Sequence, residues 1–190
     1  MKHNNLFIIS GPSGAGEDSV IAGIREHLPV RVAVTTTTRA PREGESDGNP
    51  YYFISKEQFR SMIEAGAFAE WAQHYNDNYY GVTHEELERI TADNAIGIWK
   101  IDYKGVEAAK TLFPGIIAIL ITAESLDVLE ERIRSRSATV SEEYVRERME
   151  YSREWMKHTE LYDYTVVNRT GRLQDAVAKV VAIISHHANR

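Results

Sequence analysis

Leu6-Phe7-Ile8-Ile9-Ser10-Gly11-Pro12-Ser13-Gly14-Ala15-Gly16-Glu17-Asp18-Ser19 is the stretch that decides how this chain folds. Its first four residues are a continuous apolar run, the pattern of a strand buried on both faces of a parallel sheet. Gly11, Pro12, Ser13, Gly14, Ala15 and Gly16 then give the G-x-x-x-x-G spacing of a phosphate-binding loop, and from Val20 the chain reads as helix. In that setting the glycines let backbone N–H groups converge on phosphate oxygens at a helix N-terminus. A loop of this type calls next for Lys, which neutralises β- and γ-phosphate oxygens, and then for Ser or Thr, whose hydroxyl meets Mg²⁺. This chain has Glu17 and Asp18 there, followed by Ser19. Two like charges about 4 Å apart cost on the order of 1 to 4 kcal/mol between water and a protein surface. Glu17 therefore repels a phosphate where lysine would attract it, and ordinary ATP binding does not follow from the loop alone.

Moving outward, Val30 to Thr37 is rich in β-branched residues and reads as a second strand. Arg39 to Pro50 is a polar loop with two prolines and two glycines, longer than a connector needs. Tyr51 to Phe53, Phe68 to Ala72 and Tyr79 to Val82 read as short strands around a helix from about Lys56 to Ala65. The parallel pattern resumes with a strand at Ala95 to Ile101, a helix beginning near Gly105 and a strand at Ile116 to Thr122. Leu126, Leu129 and Ile133 have helical spacing. An Arg- and Ser-rich connection then precedes a helix from Ser141 to about Thr159, a candidate lid. Tyr164 to Val167 supplies a last strand, and Leu173, Ala176, Val177, Val180, Val181 and Ile184 give the closing helix a core-facing stripe. Alternating strands and helices predict an α/β fold: a doubly wound parallel sheet of P-loop NTPase type with a small insert and a helical lid. The expected division is a core of about residues 1–34, 84–134 and 160–190, an insert of about 35–83 and a lid of about 135–159.

The 190 residues, 43% hydrophobic and 26% charged, suit one domain with a sizeable interior. A formal net charge of −6 supplies no global positive field for a nucleic-acid backbone or an anionic membrane, so neither is an expected partner. The absence of cysteine excludes disulfides, thiolate metal sites and a cysteine nucleophile. The leading Met1 to Asn5 and the short apolar run after it do not make a signal peptide or a membrane span, so the expected location is cytoplasmic. His186 and His187 lack any metal-ligand framework and read as a solvated tail.

With the loop, Thr36-Thr37-Thr38-Arg39-Ala40-Pro41-Arg42-Glu43-Gly44-Glu45 and Gly48-Asn49-Pro50-Tyr51-Tyr52-Phe53 closely resemble the guanylate kinases. Phe68-Ala69-Glu70-Trp71-Ala72, Asn78-Tyr79-Tyr80-Gly81, Ile101-Asp102-Tyr103-Lys104-Gly105 and Tyr162 to Asn168 extend the resemblance essentially end to end. It implies ATP- and Mg²⁺-dependent phosphorylation of GMP or dGMP, with those nucleotides as small-molecule partners. It also implies that Arg39, Arg42, Tyr51 and Tyr80 grip the acceptor phosphate, that Glu70 and Asp102 read guanine, and that Thr35 helps hold the base. Arg132, Arg136 and Arg148 match arginines that the family brings onto the ATP phosphates and the transferring group. The chemistry is apt: guanidinium forks bind a phosphate dianion bidentately, phenols add donors without charge, and carboxylates accept from guanine N1–H and its amine. The plainer reading of bare sequence is that the loop arginines salt-bridge Glu43, Glu45 and Asp47, and that the remaining arginines and Glu70 are solvated.

Three further positions depart from the family pattern, and two of them, 82 and 100, carry consequences. Val82 stands where a Ser or Thr is expected to meet guanine O6, with Thr83 next to it as a substitute donor. Arg169 follows Asn168 where the family has Asp. Lys100 lies two residues before Asp102, where the family has an acid. A lysine at the C-terminal edge of a strand can reach the phosphate loop. The charges therefore suggest an exchange, in which Lys100 takes the phosphate-neutralising role and Asp18 or Glu17 takes Mg²⁺. The alternative is a Glu17–Lys100 ion pair filling an inactive donor site, which leaves a module that binds GMP or a phosphorylated partner and does no chemistry.

Overall fold

The computed structural model describes residues 5–73, 77–135 and 140–188. Ten strands run β1 Leu6–Ser10, β2 Val30–Val32, β3 Thr35–Thr37, β4 Ser46–Asp47, β5 Pro50–Phe53, β6 Phe68–Gln73, β7 Tyr79–Thr83, β8 Ile96–Trp99, β9 Ile117–Thr122 and β10 Tyr164–Val167. Seven α-helices run α1 Glu17–Arg25, α2 Lys56–Glu64, α3 His84–Thr91, α4 Tyr103–Leu112, α5 Leu126–Ser135, α6 Glu142–Trp155 and α7 Leu173–Ala188.

β10-β9-β1-β8-β2 form one sheet, parallel throughout. The apolar run 6–9 explains its central position. Alternation along β1 sends Phe7 and Ile9 into a cluster with Val20, Ile24, Val177 and Val180 from α1 and α7. The same alternation sends Leu6 and Ile8 into a second cluster with Leu87, Ile90, Val106 and Ala109 from α3 and α4. Both faces are thus covered by helices, as a parallel sheet requires. Each fully buried Leu, Ile or Phe stabilises by roughly 1.5–3 kcal/mol relative to exposure.

The second sheet, β4-β5-β3-β7-β6, is mixed: β3 pairs parallel with β5 and antiparallel with β7. It packs on α2 through Phe59, Phe68 and Tyr79, with the Phe59 and Phe68 rings stacked at 4.2 Å. A capping box between Ser55 and Gln58 opens α2.

The single strand expected at Val30 to Thr37 is two strands, β2 in the first sheet and β3 in the second. The backbone crosses between sheets at Ala33 and Val34. Ala33 N–H still donates to the Ile98 carbonyl (2.8 Å), but Val34 N–H donates to the buried Glu86 carboxylate (2.7 Å), which Arg89 also clamps with two hydrogen bonds. α1 begins at Glu17, not Val20, because helical backbone starts at the glycine turn while the apolar periodicity starts one turn later. The helix expected from Ser141 to Thr159 ends at Trp155 and continues as a 3-10 turn over Met156–Leu161. His186 and His187 are not a tail but the last turns of α7, with the His187 ring 2.8 Å from the Tyr164 hydroxyl. Among the described residues no helix is long and apolar enough to cross a membrane.

Candidate functional site

The β1–α1 turn brings Gly11 to Gly16 to the C-terminal edge of the parallel sheet, where ligands of open α/β sheets bind. Gly16 has φ +82°, and a Cβ there would lie 2.6 Å from Asn168 Nδ2, so the turn into α1 requires glycine. Asn168, buried after β10, donates from Nδ2 to the Ala15 carbonyl (2.9 Å) and so pins the loop. Arg132, near the end of α5, donates to the Asn168 carbonyl (2.9 Å), the Thr170 hydroxyl (3.0 Å) and, longer, the Gly14 carbonyl (3.4 Å). Gly14, Gly16, Ser19, Arg132, Asn168 and Arg169 help line a cavity of about 560 Å³ beside the loop. Arg148 sits on α6 with its guanidinium 5.1 Å from the Tyr144 ring centre. Arg136 lies outside the described residues.

Glu17 and Asp18 occupy the first turn of α1, where the N-terminal end of the helix dipole favours negative charge. Lys100 follows β8 directly and donates to Asp18 Oδ1 at 2.7 Å. Burial works against the charged lysine, but the Asp18 hydrogen bond and the charges of Glu17 and Asp18 outweigh it and hold Lys100 above the ordinary lysine value. The Tyr51 side chain of the second sheet lies close enough to Lys100 to interact with it electrostatically.

On the second sheet, Arg39, Tyr51, Tyr80 and Glu45 form one cluster. Arg39 makes a two-pronged ion pair with Glu45 (2.9 and 3.0 Å) and lies 5.3 Å from the Tyr51 and 5.6 Å from the Phe53 ring centre. The Glu45 hydrogen bond raises the Arg39 pKa, and the same bond lowers that of Glu45. Tyr80 faces Tyr51 edge-on at 6.1 Å and also hydrogen-bonds Arg39. Arg42 donates its backbone N–H to Glu45 and leaves its side chain exposed. Thr35 opens β3 in register with Tyr51.

Two carboxylates meet where β6 approaches the N-terminus of α4. Asp102 caps α4, its Oδ1 accepting from Gly105 N–H (2.9 Å), and its Oδ2 accepts from the Tyr151 hydroxyl of α6 (2.5 Å). Glu70 is half-buried beside it, and no described residue donates a hydrogen bond to its carboxylate. Burial first, then the Asp102 charge, pushes Glu70 up to about 7. Val82, in register with Glu70 on β7, is buried and apolar. Thr83 does not stand in for it: strand alternation turns Thr83 to the other face, where its hydroxyl accepts from Glu86 N–H as the cap of α3.

Tyr151, Tyr162 and Trp155 belong to this site and were not singled out by sequence reasoning for any role in it. Nothing in the chain's pattern marks a tyrosine on α6 as the partner of an aspartate 49 residues earlier.

A glycine loop between β1 and α1 of a parallel sheet, together with a second sheet that carries an arginine–tyrosine cluster and Glu70 next to Asp102, defines a P-loop protein built for phosphorylated ligands. The family model for guanylate kinase matches residues 3–187. Guanylate kinases of Idiomarina loihiensis and Symbiobacterium thermophilum are 40% identical over 167 residues and 38% over 180, alignments covering 86% and 94% of this chain and 79% and 83% of theirs. A crystal structure of guanylate kinase from Anaplasma phagocytophilum superposes with a TM-score of 0.74 over 97% of this chain and 86% of that one, at 24% identity, which bears on the fold. The chain belongs to the guanylate kinase family.

Proposed function

We infer that this protein is a nucleoside monophosphate kinase that transfers the γ-phosphoryl group of ATP to GMP. The observation that carries the reading is Lys100, whose ammonium bonds Asp18 at the phosphate loop and lies within the electrostatic reach of Tyr51 in the arginine–tyrosine cluster. A cation at the junction of the donor loop and the acceptor cluster is where charge develops during phosphoryl transfer.

Arg39, Arg42, Tyr51 and Tyr80 bind the acceptor phosphate, which displaces Glu45 from the Arg39 fork. Glu70 and Asp102 accept from the guanine N1–H and amine, and Thr35 supports the base. Thr83 is left as a helix cap, so with Val82 opposite Glu70 the guanine O6 has no donor from this corner. Arg132 steadies the donor loop, while Arg148, on α6, serves the donor phosphates.

At the loop the exchanged charges divide the work. The Lys100–Asp18 pair is partly exposed, with side-chain exposures of 40% and 79%, so it holds by only about 0–1 kcal/mol. An incoming polyphosphate therefore takes Lys100 from Asp18 at little cost. The freed Asp18 carboxylate is a hard oxygen donor, and one carboxylate plus nucleotide phosphates is the usual way Mg²⁺ is held. No cluster of three or more metal-binding side chains exists among the described residues, which fits an ion carried mainly by the nucleotide. Bound there, Mg²⁺ would neutralise phosphate charge.

Calorimetric titration with GMP and with Mg²⁺-ATP, followed by assay of GDP formation, tests the reading. Binding of both nucleotides with GDP formation is the expected outcome. Binding of GMP without binding or turnover of ATP would overturn the kinase assignment.

A further inference from the structure

Asp102 and the residue before it are held from the α6 side by two separate hydrogen-bonded arms. The first is direct: the Tyr151 hydroxyl donates to Asp102 Oδ2 at 2.5 Å. The second is a relay. Trp155 Nε1 reaches the Tyr162 hydroxyl (2.9 Å), that hydroxyl lies 3.0 Å from Ser10 Oγ, and Ser10 Oγ donates to the Ile101 carbonyl (2.6 Å). Indole N–H can only donate and each hydroxyl has one proton, so the direction is fixed: Trp155 to Tyr162, Tyr162 to Ser10, Ser10 to Ile101. The relay fixes backbone and leaves the Asp102 side chain free to turn. Among the described residues, Tyr151 and the Gly105 N–H alone set the carboxylate plane.

Tyr151 is itself held in place. Its ring lies 5.7 Å from both Tyr103 and Trp155, edge-on to the latter, and packs against the cluster that includes Tyr162. With one acceptor site on each Asp102 oxygen taken, a second lone pair on each remains for an incoming donor. Glu70, next to Asp102 and without a hydrogen-bond donor among the described residues, offers further acceptor capacity to the same ligand.

We propose that Tyr151 is a positioning residue for acceptor-base recognition: its hydroxyl locks Asp102 in the orientation that accepts from guanine, tying base selection to α6. The proposal rests on the assignment of the Glu70–Asp102 corner to the guanine base. Tyr151 touches no nucleotide itself and acts only through Asp102, so its effect must vanish when Asp102 can no longer serve as a charged acceptor.

The test is a double-mutant cycle of Tyr151→Phe and Asp102→Asn, reading the KM for GMP, kcat, the KM for ATP and inhibition by ribose 5-phosphate, which carries the phosphate and sugar without the base. Tyr151→Phe alone is expected to raise the KM for GMP by about tenfold, the worth of one hydrogen bond to a charged group. It should leave kcat, the KM for ATP and the Ki of ribose 5-phosphate within about twofold. In the Asp102→Asn background it should cost nothing further. An equal loss in both backgrounds, a matching loss of ribose 5-phosphate binding, or no loss at all overturns the proposal while GDP formation by the unaltered protein still supports the kinase reading. Failure of the unaltered protein to bind GMP overturns both.

Discussion

Lys100 Nζ donates to Asp18 Oδ1 at 2.7 Å, joining the end of β8 to the first turn of α1 across the mouth of the phosphate loop. Asp18 sits where a phosphate loop places its hydroxyl, and under the exchange proposed above Lys100, just after β8, supplies the charge of the missing loop lysine. Lys100 also lies in the field of Glu17.

Replacing this cation tests its role. Lys100→Met should lower GDP formation by about 100-fold or more, the usual effect of removing one preorganised charge-stabilising group. GMP affinity measured calorimetrically should stay within about twofold, because the phosphate site proposed above uses Arg39, Tyr51 and Tyr80 and not Lys100. Unchanged turnover would remove Lys100 from the mechanism. The complementary change, Glu17→Lys, should not raise activity, since it sets a second cation beside Lys100; a gain would count against the exchange.

Glu70 makes GMP binding depend on pH. Burial and the Asp102 charge push its carboxyl up to about 7 in the empty site, and the ionised form is the stronger acceptor for guanine N1–H. GMP affinity should therefore rise as pH increases from about 6 to 8, with proton release on binding near pH 7 that calorimetry in buffers of different ionisation enthalpy would register. The phosphate monoester of GMP also titrates near 6, so Glu70→Gln is the needed control: it should weaken GMP and flatten the part of the profile centred at 7.

The same group works against stability. A carboxyl whose folded pKa lies above its usual 4.5 favours the fold while protonated. That contribution is complete below 4.5 and is lost as pH rises through about 7. Glu70→Gln should consequently stabilise the empty protein at pH 8 by about 1–3 kcal/mol, a range that allows for its half-buried position. Denaturant unfolding at pH 5 and pH 8 would show the gain only at the higher pH.

Much of this architecture is legible in the sequence, and the exceptions have physical reasons. The run Leu6 to Ile9 and the glycines after it define strand, loop and helix because burial on both faces leaves no polar alternation. Val30 to Thr37 misleads because β-branched residues report extended backbone and not sheet membership; the crossing at Val34 depends on Glu86, over 50 residues later. α3 is mostly charged, with only Leu87 and Ile90 as apolar anchors, so its periodicity is faint. Arg39, Tyr51 and Tyr80 are recognisable by motif. The engagement of Arg39 with Glu45 is a local, charge-driven contact that the plainer reading of the loop also contained. Tyr151 was invisible, since a side chain that acts by touching Asp102 from another helix leaves no local pattern.

Arg39 holds Glu45 with both prongs of its guanidinium, and a phosphate dianion must displace that carboxylate. Arg39→Lys keeps the charge but loses the planar fork, so it should raise the KM for GMP by about tenfold or more. Steady-state kinetics at saturating ATP would show this, and an unchanged KM would place the acceptor phosphate elsewhere.

Gly81 links the packing of the second sheet to the chemistry of its carboxylate. A Cβ at this position on β7 would lie 2.7 Å from the Glu70 carbonyl, 2.8 Å from Trp71 Cβ and 2.9 Å from the Phe68 ring, closer than real Cβ contacts allow. Two of those atoms belong to backbone or its first side-chain carbon, so rotamer changes cannot relieve the clash. β6 must move off β7 where its ladder already carries an irregularity between Phe68 and Glu70. Gly81→Ala should cost about 1–3 kcal/mol of stability, as overpacking does. It should also displace Glu70 from Asp102, so GMP affinity falls and its pH midpoint drops from about 7 toward the ordinary carboxylate value. Thermal unfolding and a pH series of GMP titrations would separate the two effects. A destabilised variant whose midpoint stays at 7 would show that β6 yields without carrying Glu70 along.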